Sequence, residues 1–261
     1  MSLQLKSLVR KELRARLRAM DTATRAAESK RIVTQVLTQC ERYKQAKHVA
    51  MFLSMPSEVD TAELLADSLK AGKTVYVPRY EADTMDFLRV YSLRDIATLP
   101  RNEMNIAQPE YHVSQSVLTP EATEVEMASP AEAAGGASVT TTSETTAPTT
   151  APTTATTAHS NTTTTNTTPS IKESAETVAR ENPLDNGKLD LILVPGLGFT
   201  AAGDRIGRGK GYYDKYLTRI FTTFAANGWT APATIALTFP CQIMDSIPTD
   251  ATDVRIGHVL F

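Results

Sequence analysis

Three cations and three glycines lie within seven residues of this chain, a combination suited to the binding of phosphate groups. The run is Arg205–Gly211, with the sequence RIGRGKG. Glycines allow backbone N–H groups to approach an anion closely, and Arg and Lys side chains neutralise its charge. Asp214 follows Lys210 by one helical turn, where a carboxylate can hold a divalent metal ion beside bound phosphates. Tyr212 and Tyr213 add an aromatic surface next to these charges.

This loop is expected to lie between a buried strand and a helix. The apolar run Leu191–Val194 is typical of a strand that is covered on both faces, and Pro195 ends it. After the loop, the residues at helical spacing are Tyr213, Tyr216, Leu217, Ile220 and Phe224. The N-terminus of such a helix carries partial positive charge. A strand, a glycine loop and a helix start together predict a phosphate-binding site.

The pattern matches neither of the two common nucleotide-binding motifs. A Walker A loop needs a glycine where Asp204 stands, and a Ser or Thr where Gly211 stands. The dinucleotide motif GxGxxG also fails, because after Gly207 and Gly209 the third glycine position is occupied by Tyr212. From the residues alone, a solvated turn is an alternative interpretation of a loop rich in glycine and arginine.

The apolar patterns elsewhere predict alternating helices and strands. After an N-terminal helix, helices or helical turns are predicted at 22–40, 60–72, 94–99 and 241–244. Strands are predicted at 47–54, 73–78, 87–91, 233–239 and 258–261. Asp60 and Glu63 have the spacing of a capping box at the start of one helix. The order of elements predicts an α/β fold, a single layered domain with a central mixed, mostly parallel sheet flanked by helices.

The composition of the chain changes between residues 113 and 182. Apolar periodicity is lost there, and residues 140–170 consist almost entirely of Thr, Ala, Pro, Ser and Asn. A segment with so little apolar area cannot offset the entropy cost of becoming ordered. We therefore predict one domain built from residues 1–112 and 183–261, interrupted by a disordered, low-complexity insertion at 113–182.

Charge and cysteine content argue against several classes of protein. The 261 residues carry a net charge of −2, which disfavours general binding to nucleic acid or to anionic membranes. The two cysteines are far apart and the four histidines are scattered, so a disulfide framework or zinc pattern is not expected, and a reducing compartment is. The basic, amphipathic segment 1–20 fits either a mitochondrial transit peptide or an ordinary surface helix.

One long motif and several short segments resemble a known enzyme family. Residues 196–214 read GLGF-x5-RIGRGKGYYD, which resembles the signature of the 5-formyltetrahydrofolate cyclo-ligase (5,10-methenyltetrahydrofolate synthetase) family. Segments that resemble the family in the same order are the N-terminal helix with Lys6 and Arg10, FLSMPSEVDT at 52–61, VPRY at 77–80, MDFLRV at 85–90 and NIAQP at 105–109. The resemblance covers nearly everything except the Thr-rich insertion.

The resemblance implies a defined reaction and an ATP site. Members of the family convert 5-formyltetrahydrofolate to 5,10-methenyltetrahydrofolate with ATP and Mg²⁺, and release ADP and phosphate through a phosphorylated formyl (iminophosphate) intermediate. The implied ATP ligands are Lys6, Arg10, Arg205, Gly207, Arg208, Gly209, Lys210, Gly211, Tyr212 and Tyr213. An N-terminus that binds ATP would not be cleaved off, so the surface helix is favoured over the transit peptide. We expect a monomer in the cytoplasm, with the mitochondrion as the alternative.

The resemblance also implies roles for individual side chains. Arg208 and Lys210 are expected to contact the transferring phosphoryl group, and Asp214 and Asp253 are expected to bind Mg²⁺. The implied folate contacts are Phe52, Leu53, Glu58, Met85, Phe87, Arg208 and Tyr212. Taken without the family, the two aspartates also fit a surface salt bridge and a solvated turn, and the apolar residues also fit core packing.

Some positions depart from the family pattern, and other functions stay open. Met104 stands where relatives often have Trp, Gly257 stands where an acidic residue often follows the second metal ligand, and residues 199–202 lack the usual charges. One alternative function is a folate- or nucleotide-binding protein without turnover. A second is a nucleic-acid-binding protein that uses the basic helix and the Arg-Gly loop. A third is a sugar-phosphate isomerase, for which we identify no base.

Overall fold

The structure, a computed structural model, describes residues 2–102, 105–118 and 176–261. The helices are α1 Ser2–Ala19, α2 Thr22–Gln39, α3 Glu41–Gln45, α4 Ala62–Lys70, α5 Leu93–Ala97, α6 Pro183–Asn186 and α7 Tyr212–Ala226. The strands are β1 His48–Ala50, β2 Thr74–Glu81, β3 Thr84–Val90, β4 His112–Ser114, β5 Thr177–Ala179, β6 Leu191–Val194, β7 Gly198–Phe199, β8 Arg205–Ile206, β9 Ala233–Leu237 and β10 His258–Leu260. Among the described helices, none has the length and apolarity needed to cross a membrane.

A six-stranded sheet with the order β10-β9-β6-β1-β2-β3 forms the centre of the fold. All of its strands run parallel except β3, which returns antiparallel to β2 along the edge. Val49 of β1 pairs with Val75 of β2 on one side and with Leu191 of β6 on the other. The prediction of a mixed, mostly parallel sheet is confirmed.

Helices cover both faces of this sheet because its central strands are apolar on both sides. Side chains of a strand alternate between the two faces. Leu191 and Leu193 of β6 therefore lie in one core, together with apolar side chains of α1, α2 and α4. Ile192 and Val194 lie in the other core, against the apolar side of α7. The layered α/β fold is thus confirmed, with β6 fully buried at its centre.

The apolar side of the first helix is buried only over its C-terminal half. Leu13 is 0 % exposed and Leu17 is 4 % exposed, whereas Leu5 and Leu8 are 49 % and 64 % exposed. The apolar face expected along the whole helix is therefore covered in its second half alone. The packing of Leu13 and Leu17 makes α1 part of the core of the domain.

Several predicted boundaries differ from those observed, and one short helix lies where none is predicted. Strand β1 ends at Ala50 and not near Ser54, because the chain leaves the sheet after the Met51 N–H donates to the Tyr76 carbonyl. Helix α4 begins at Ala62, and the Asp60 carboxylate accepts a hydrogen bond from the Ala62 N–H at 3.0 Å, so the expected capping box does not form. The short helix α3 was not predicted at all.

The domain extends further into the predicted insertion than the composition indicated. Strands β4 and β5 pair antiparallel, with Val113 opposite Val178. Directly after β5, Arg180 Nη2 lies 2.6 Å from Asp95 Oδ1 in a buried ion pair. The predicted boundaries at 113 and 182 are therefore corrected, since secondary structure continues to residue 117 and resumes at residue 177. The prediction of disorder falls on residues 119–175, which lie outside the described residues.

Candidate active site

A cavity of about 810 Å³ lies where two loops meet at one edge of the sheet. One loop follows β6 and leads through Pro195 and Gly196 to the glycine loop, and the other follows β1 and carries Met55 and Glu58. Both loops leave the carboxyl ends of neighbouring parallel strands, where ligands commonly bind in open α/β sheets. We call this space the glycine-loop cavity. Its walls include Lys6, Arg10, residues 205–211, Asp214 and Asp253.

The backbone of the glycine loop requires glycine at two positions. Gly209 has φ of +111° and Gly211 has φ of +69°. Residues with a Cβ atom rarely adopt such values. Gly211 precedes the first residue of α7, and its position leaves the start of that helix without a side-chain cap. The first N–H groups of α7 therefore have no intrahelical partner and are available to an anion. Arg10 Nε donates to the Gly207 carbonyl at 2.9 Å and joins α1 to this loop.

Lys6 is held by two carboxylates from a distant part of the chain. Its Nζ lies 2.7 Å from Asp250 Oδ2 and 2.6 Å from Asp253 Oδ2, and the residue is only 6 % exposed. Burial alone lowers the pKa of Lys6, but the hydrogen bonds to Asp250 and Asp253 outweigh it and raise the pKa above its ordinary value. The same hydrogen bond lowers the pKa of Asp250. Lys6 is therefore a positive charge on the wall of the cavity.

Asp214 is positioned by a buried arginine. Arg205 Nη2 donates to Asp214 Oδ2 at 2.8 Å, and the Arg205 guanidinium lies 5.6 Å from the centre of the Tyr213 ring. The other carboxylate oxygen, Asp214 Oδ1, accepts from the Val254 N–H at 3.2 Å. Val254 follows Asp253 in sequence, so this bond brings the two aspartates to the same end of the cavity.

The donor chemistry of the two aspartates fits Mg²⁺. This ion prefers oxygen ligands and is usually held by one or two carboxylates together with substrate phosphates and water. Asp214 and Asp253 both line the cavity. Over residues 2–102, 105–118 and 176–261, no group of three or more His, Cys, Asp or Glu side chains forms a metal site. A metal ion between the two aspartates would thus take its further ligands from water or from bound phosphate.

A nearly buried glutamate faces the glycine loop from the opposite wall. The Glu58 side chain is 9 % exposed, and its Oε2 accepts from the Met55 N–H at 3.0 Å. Arg208 Nη2 lies 2.9 Å from Ser57 Oγ and 3.4 Å from Glu58 Oε1. Burial raises the pKa of Glu58, and the hydrogen bond from Met55 and the charge of Arg208 lower it in part. Glu58 is therefore a nearly buried carboxyl group that contacts Arg208 at the edge of the glycine-loop cavity.

Comparison with known proteins assigns this chain to a family. The sequence model of the 5-formyltetrahydrofolate cyclo-ligase family matches residues 2–129 and 140–261. The chain belongs to the 5-formyltetrahydrofolate cyclo-ligase family. A cyclo-ligase from Mus musculus is 31 % identical over 255 residues, which cover 97 % of this chain and 91 % of the relative. The mitochondrial cyclo-ligase of Arabidopsis thaliana is 26 % identical over 98 % of this chain and 73 % of its own length.

Solved structures share the cyclo-ligase fold. The Aquifex aeolicus 5,10-methenyltetrahydrofolate synthetase has a TM-score of 0.58 at 22 % identity, over 98 % of this chain and 89 % of that chain. The Mycoplasma pneumoniae 5,10-methenyltetrahydrofolate synthetase has a TM-score of 0.54 at 15 % identity, over 98 % and 97 %. The prediction of the family, and with it of a cyclo-ligase enzyme, is confirmed.

The structure brings together every residue predicted from the cyclo-ligase resemblance to bind ATP or metal. Lys6 and Arg10 lie one turn apart on α1 and reach the same cavity as the loop almost two hundred residues later. Residues 205–213 line the cavity throughout, with Lys210 exposed on its rim. Asp214 and Asp253 lie at the end of the cavity that Lys6 reaches. Their individual roles stay predictions.

The predicted folate contacts separate into two groups. Glu58, Arg208 and Tyr212 line the glycine-loop cavity, and Leu53 lines the second cavity described below. The other three predicted contacts are Phe52, Met85 and Phe87. These three are at most 2 % exposed and line neither cavity, because each faces a core of the sheet. The structure places all three side chains in the core, and their role as folate contacts stays a prediction.

Tyr80 is a cavity residue that the sequence analysis missed. It lines the glycine-loop cavity, and its ring centre lies 5.1 Å from that of Tyr212. The Tyr212 hydroxyl donates to the Ala82 carbonyl at 2.8 Å, which fixes the ring against the β2–β3 turn. Burial raises the pKa of Tyr80, so its hydroxyl stays protonated. Tyr80 ends the segment VPRY, but an aromatic side chain in a strand is as typical of core packing as of a cavity wall. Met104 lies outside the described residues.

A second cavity, of about 990 Å³, adjoins the first. The two share Met55, Ile106 and Arg208 as lining residues. Helix α1 forms one wall of the second cavity. The start of α4, the end of α5, Leu99, Arg101 and residues 105–107 contribute to the others. The site therefore continues past the Glu58 loop toward the C-terminal half of α1.

Proposed function

We propose that this chain converts 5-formyltetrahydrofolate to 5,10-methenyltetrahydrofolate with ATP and Mg²⁺, and releases ADP and phosphate. The observation that carries the proposal is the meeting of Lys6, Arg10 and the cations of the glycine loop in one cavity, with Glu58 on the opposite wall. The site thus offers an anion-binding side and a polar, partly buried side. Membership of the cyclo-ligase family and the mouse relative support the same reaction.

The anion-binding side suits the polyphosphate of ATP. Lys6 and Arg10 project from one face of α1 because they are spaced i, i+4. Lys210 is exposed on the rim, and the backbone of residues 207–211 leads into the N-terminus of α7. Each charge-assisted hydrogen bond to a phosphate contributes about 1.5–3 kcal/mol. A few such contacts hold the nucleotide and neutralise charge that shifts during phosphoryl transfer.

The Glu58 side suits the reduced pterin ring of the folate. The raised pKa of Glu58 results mainly from burial, which removes water from the carboxyl group. Ring N–H groups of the pterin would replace the hydrogen bonds to that water. Arg208 already touches Glu58 and Ser57, so it lies where the pterin and the phosphates would meet. We therefore assign Arg208 to the transferring phosphoryl group, together with Lys210.

The chemistry needs alignment more than it needs a reactive side chain. The formyl oxygen attacks the γ-phosphorus of ATP, and ADP leaves, which gives a phosphorylated formyl (iminophosphate) group. N10 of the folate then attacks the activated carbon and loses its proton to solvent, the C–O bond breaks, and phosphate leaves with the former formyl oxygen. Holding both substrates in line supplies most of the acceleration in such steps.

Asp214 and Asp253 would hold Mg²⁺ together with phosphate oxygens of the nucleotide. The bound ion would neutralise phosphate charge. In the structure both carboxylates are already paired with cations, Asp214 with Arg205 and Asp253 with Lys6. These pairs fix the orientation of the two carboxylates. Arg205 is 6 % exposed, so we assign it to positioning Asp214.

A spectrophotometric assay tests the proposal. Purified protein with Mg²⁺, ATP and 5-formyltetrahydrofolate is expected to form a product with methenyl absorbance and one ADP per product, and to form none without ATP. Folate binding in calorimetry without ATP consumption under any condition would contradict it and indicate a binding protein without turnover. Sedimentation tests the predicted monomer. Localisation by fractionation tests the predicted cytoplasmic compartment against the mitochondrial alternative.

A further inference from the structure

The loop that holds Lys6 is fixed by hydrogen bonds within itself. It consists of residues 250–253, and we call it the Lys6 loop. Asp250 Oδ1 accepts from the Thr252 N–H at 2.9 Å and from Thr252 Oγ1 at 2.6 Å. Asp253 Oδ2 accepts from the Asp250 N–H at 2.6 Å. These bonds orient both carboxylates, and Asp250 presents its other oxygen, Oδ2, to Lys6 Nζ at 2.7 Å.

The two carboxylates that hold Lys6 differ in their access to the glycine-loop cavity. Asp253 lines the cavity together with Ala251 and Thr252. Asp250 is the one residue of the Lys6 loop that does not line it. The Asp250 side chain is 41 % exposed, whereas that of Asp253 is 17 % exposed. Lys6 is therefore held by one carboxylate on the cavity wall and by a second carboxylate outside the cavity.

The proposed reaction assigns different ligands to the two partners of one ion pair. Asp253 is assigned to Mg²⁺ and Lys6 to the nucleotide phosphates, but Lys6 Nζ lies 2.6 Å from Asp253 Oδ2 in the structure. A metal ion at Asp253 would repel Lys6 and weaken this pair, because both are cations. The Lys6 side chain is 8 % exposed, and a nearly buried ammonium group that loses its carboxylate is strongly destabilised. A second carboxylate that stays in contact with Lys6 reduces this cost.

We propose that Asp250 is a positioning residue. It holds Lys6 at the cavity wall when Asp253 binds Mg²⁺, so that N–H groups of Lys6 stay available to the nucleotide phosphates. The inference rests on the proposed function. An ammonium group has three N–H donors, so Lys6 can donate to Asp250 and to a phosphate oxygen at the same time. Asp250 acts through Lys6 and not directly on the substrates, because it does not line the cavity.

A double-variant cycle tests whether Asp250 acts through Lys6. The KM for ATP is measured at saturating Mg²⁺ and 5-formyltetrahydrofolate for the wild type, Asp250→Ala, Lys6→Ala and the double variant. Asp250→Ala should raise the KM for ATP about fivefold, the upper range for a pair with one exposed partner, and leave the KM for folate unchanged. In the Lys6→Ala background, Asp250→Ala should have no further effect. An unchanged or lower KM for ATP in Asp250→Ala, or effects that multiply in the double variant, would overturn the proposal.

Asp245→Ala is the matched control. It removes an exposed carboxylate from the same connection between β9 and β10, and Asp245 lines neither cavity. Its KM values should equal those of the wild type. A rise in the KM for ATP equal to that of Asp250→Ala would indicate a general effect of charge and would overturn the positioning role. Asp250→Glu keeps a carboxylate and should restore part of the affinity for ATP, and urea unfolding should show that every variant is folded in the assay.

Calorimetry without folate separates a failure of this inference from a failure of the proposed reaction. ATP is titrated into the wild type and into Asp250→Ala, once with Mg²⁺ and once with EDTA, so no turnover is needed. With Mg²⁺, Asp250→Ala should bind ATP about fivefold more weakly than the wild type, and with EDTA the two affinities should be nearly equal. This result supports the positioning role even if no methenyl product forms. Equal affinities in both buffers, an equal loss in both, or no binding of ATP to the wild type overturns it even if the enzyme is active.

Discussion

Replacing Arg208 with Ala should reduce catalysis strongly while leaving the fold intact. The side chain is 45 % exposed, and its contact with Glu58 Oε1 is 3.4 Å long. Such an exposed pair contributes only about 0–1 kcal/mol to the free energy of unfolding. If Arg208 instead contacts the transferring phosphoryl group, its loss removes about 1.5–3 kcal/mol of transition-state stabilisation. That corresponds to a fall in kcat/KM of roughly 10- to 150-fold.

Arg31→Ala provides a control of the same kind. Arg31 is also 45 % exposed and pairs with a carboxylate, with its Nη2 2.8 Å from Glu28 Oε2. It lies on α2 and lines neither cavity. Methenyl formation would be followed for both variants at varied folate and ATP, and urea unfolding would be measured in parallel. Equal kcat/KM values for the two variants would refute the role assigned to Arg208.

Three further predictions concern charged groups in and around the site. Lys6→Ala should raise the KM for ATP on the order of tenfold, and leave the KM for folate less affected, because a phosphate contact is lost; equal effects on both substrates would contradict this. Burial raises the pKa of Glu58, so the folded protein binds the Glu58 proton more tightly than the unfolded protein does. As pH rises above the ordinary glutamate pKa, the unfolded state loses this proton first. The ionisation of Glu58 therefore lowers the free energy of unfolding. Glu58→Gln cannot ionise, so its free energy of unfolding minus that of the wild type, measured by urea titration, should increase as pH rises above the ordinary glutamate pKa. A difference that does not change with pH would argue against it. Arg180→Ala leaves Asp95 buried without its partner and should lower the free energy of unfolding by about 3–5 kcal/mol, while a loss below 1 kcal/mol would show that the pair is dispensable.

Local patterns in the sequence predicted most of the fold. The continuous apolar run Leu191–Val194 indicated a strand covered on both faces, and all four of its residues are fully buried. The positions of the glycines marked the loop, because Gly209 and Gly211 adopt positive φ values that few other residues tolerate. Element ends were less predictable. Strand β1 is three residues long because tertiary contacts, and not its apolar content, decide where the chain leaves the sheet.

The site required information that local patterns do not carry. The pairing of Lys6 with Asp250 and Asp253 joins opposite ends of the chain, and no spacing rule indicates it. The family resemblance supplied the approximate positions of these groups. Phe52 shows the limit of the resemblance. The residue lies in a segment that resembles the family, but its side chain is 2 % exposed and lies in the core. Residue type does not distinguish an aromatic cavity wall from an aromatic core.

The two short strands β4 and β5 also bear on how the length of this protein can vary among relatives. The Gln115 N–H donates to the Glu176 carbonyl at 2.8 Å, so the chain leaves and re-enters the domain at nearly the same point. The entropy of closing a chain between two fixed points rises only with the logarithm of its length, about 0.6 kcal/mol for each doubling. Additions between these strands therefore cost the domain little stability. The strand pair is a natural place for the gene to gain or lose sequence, and a natural place to graft another domain.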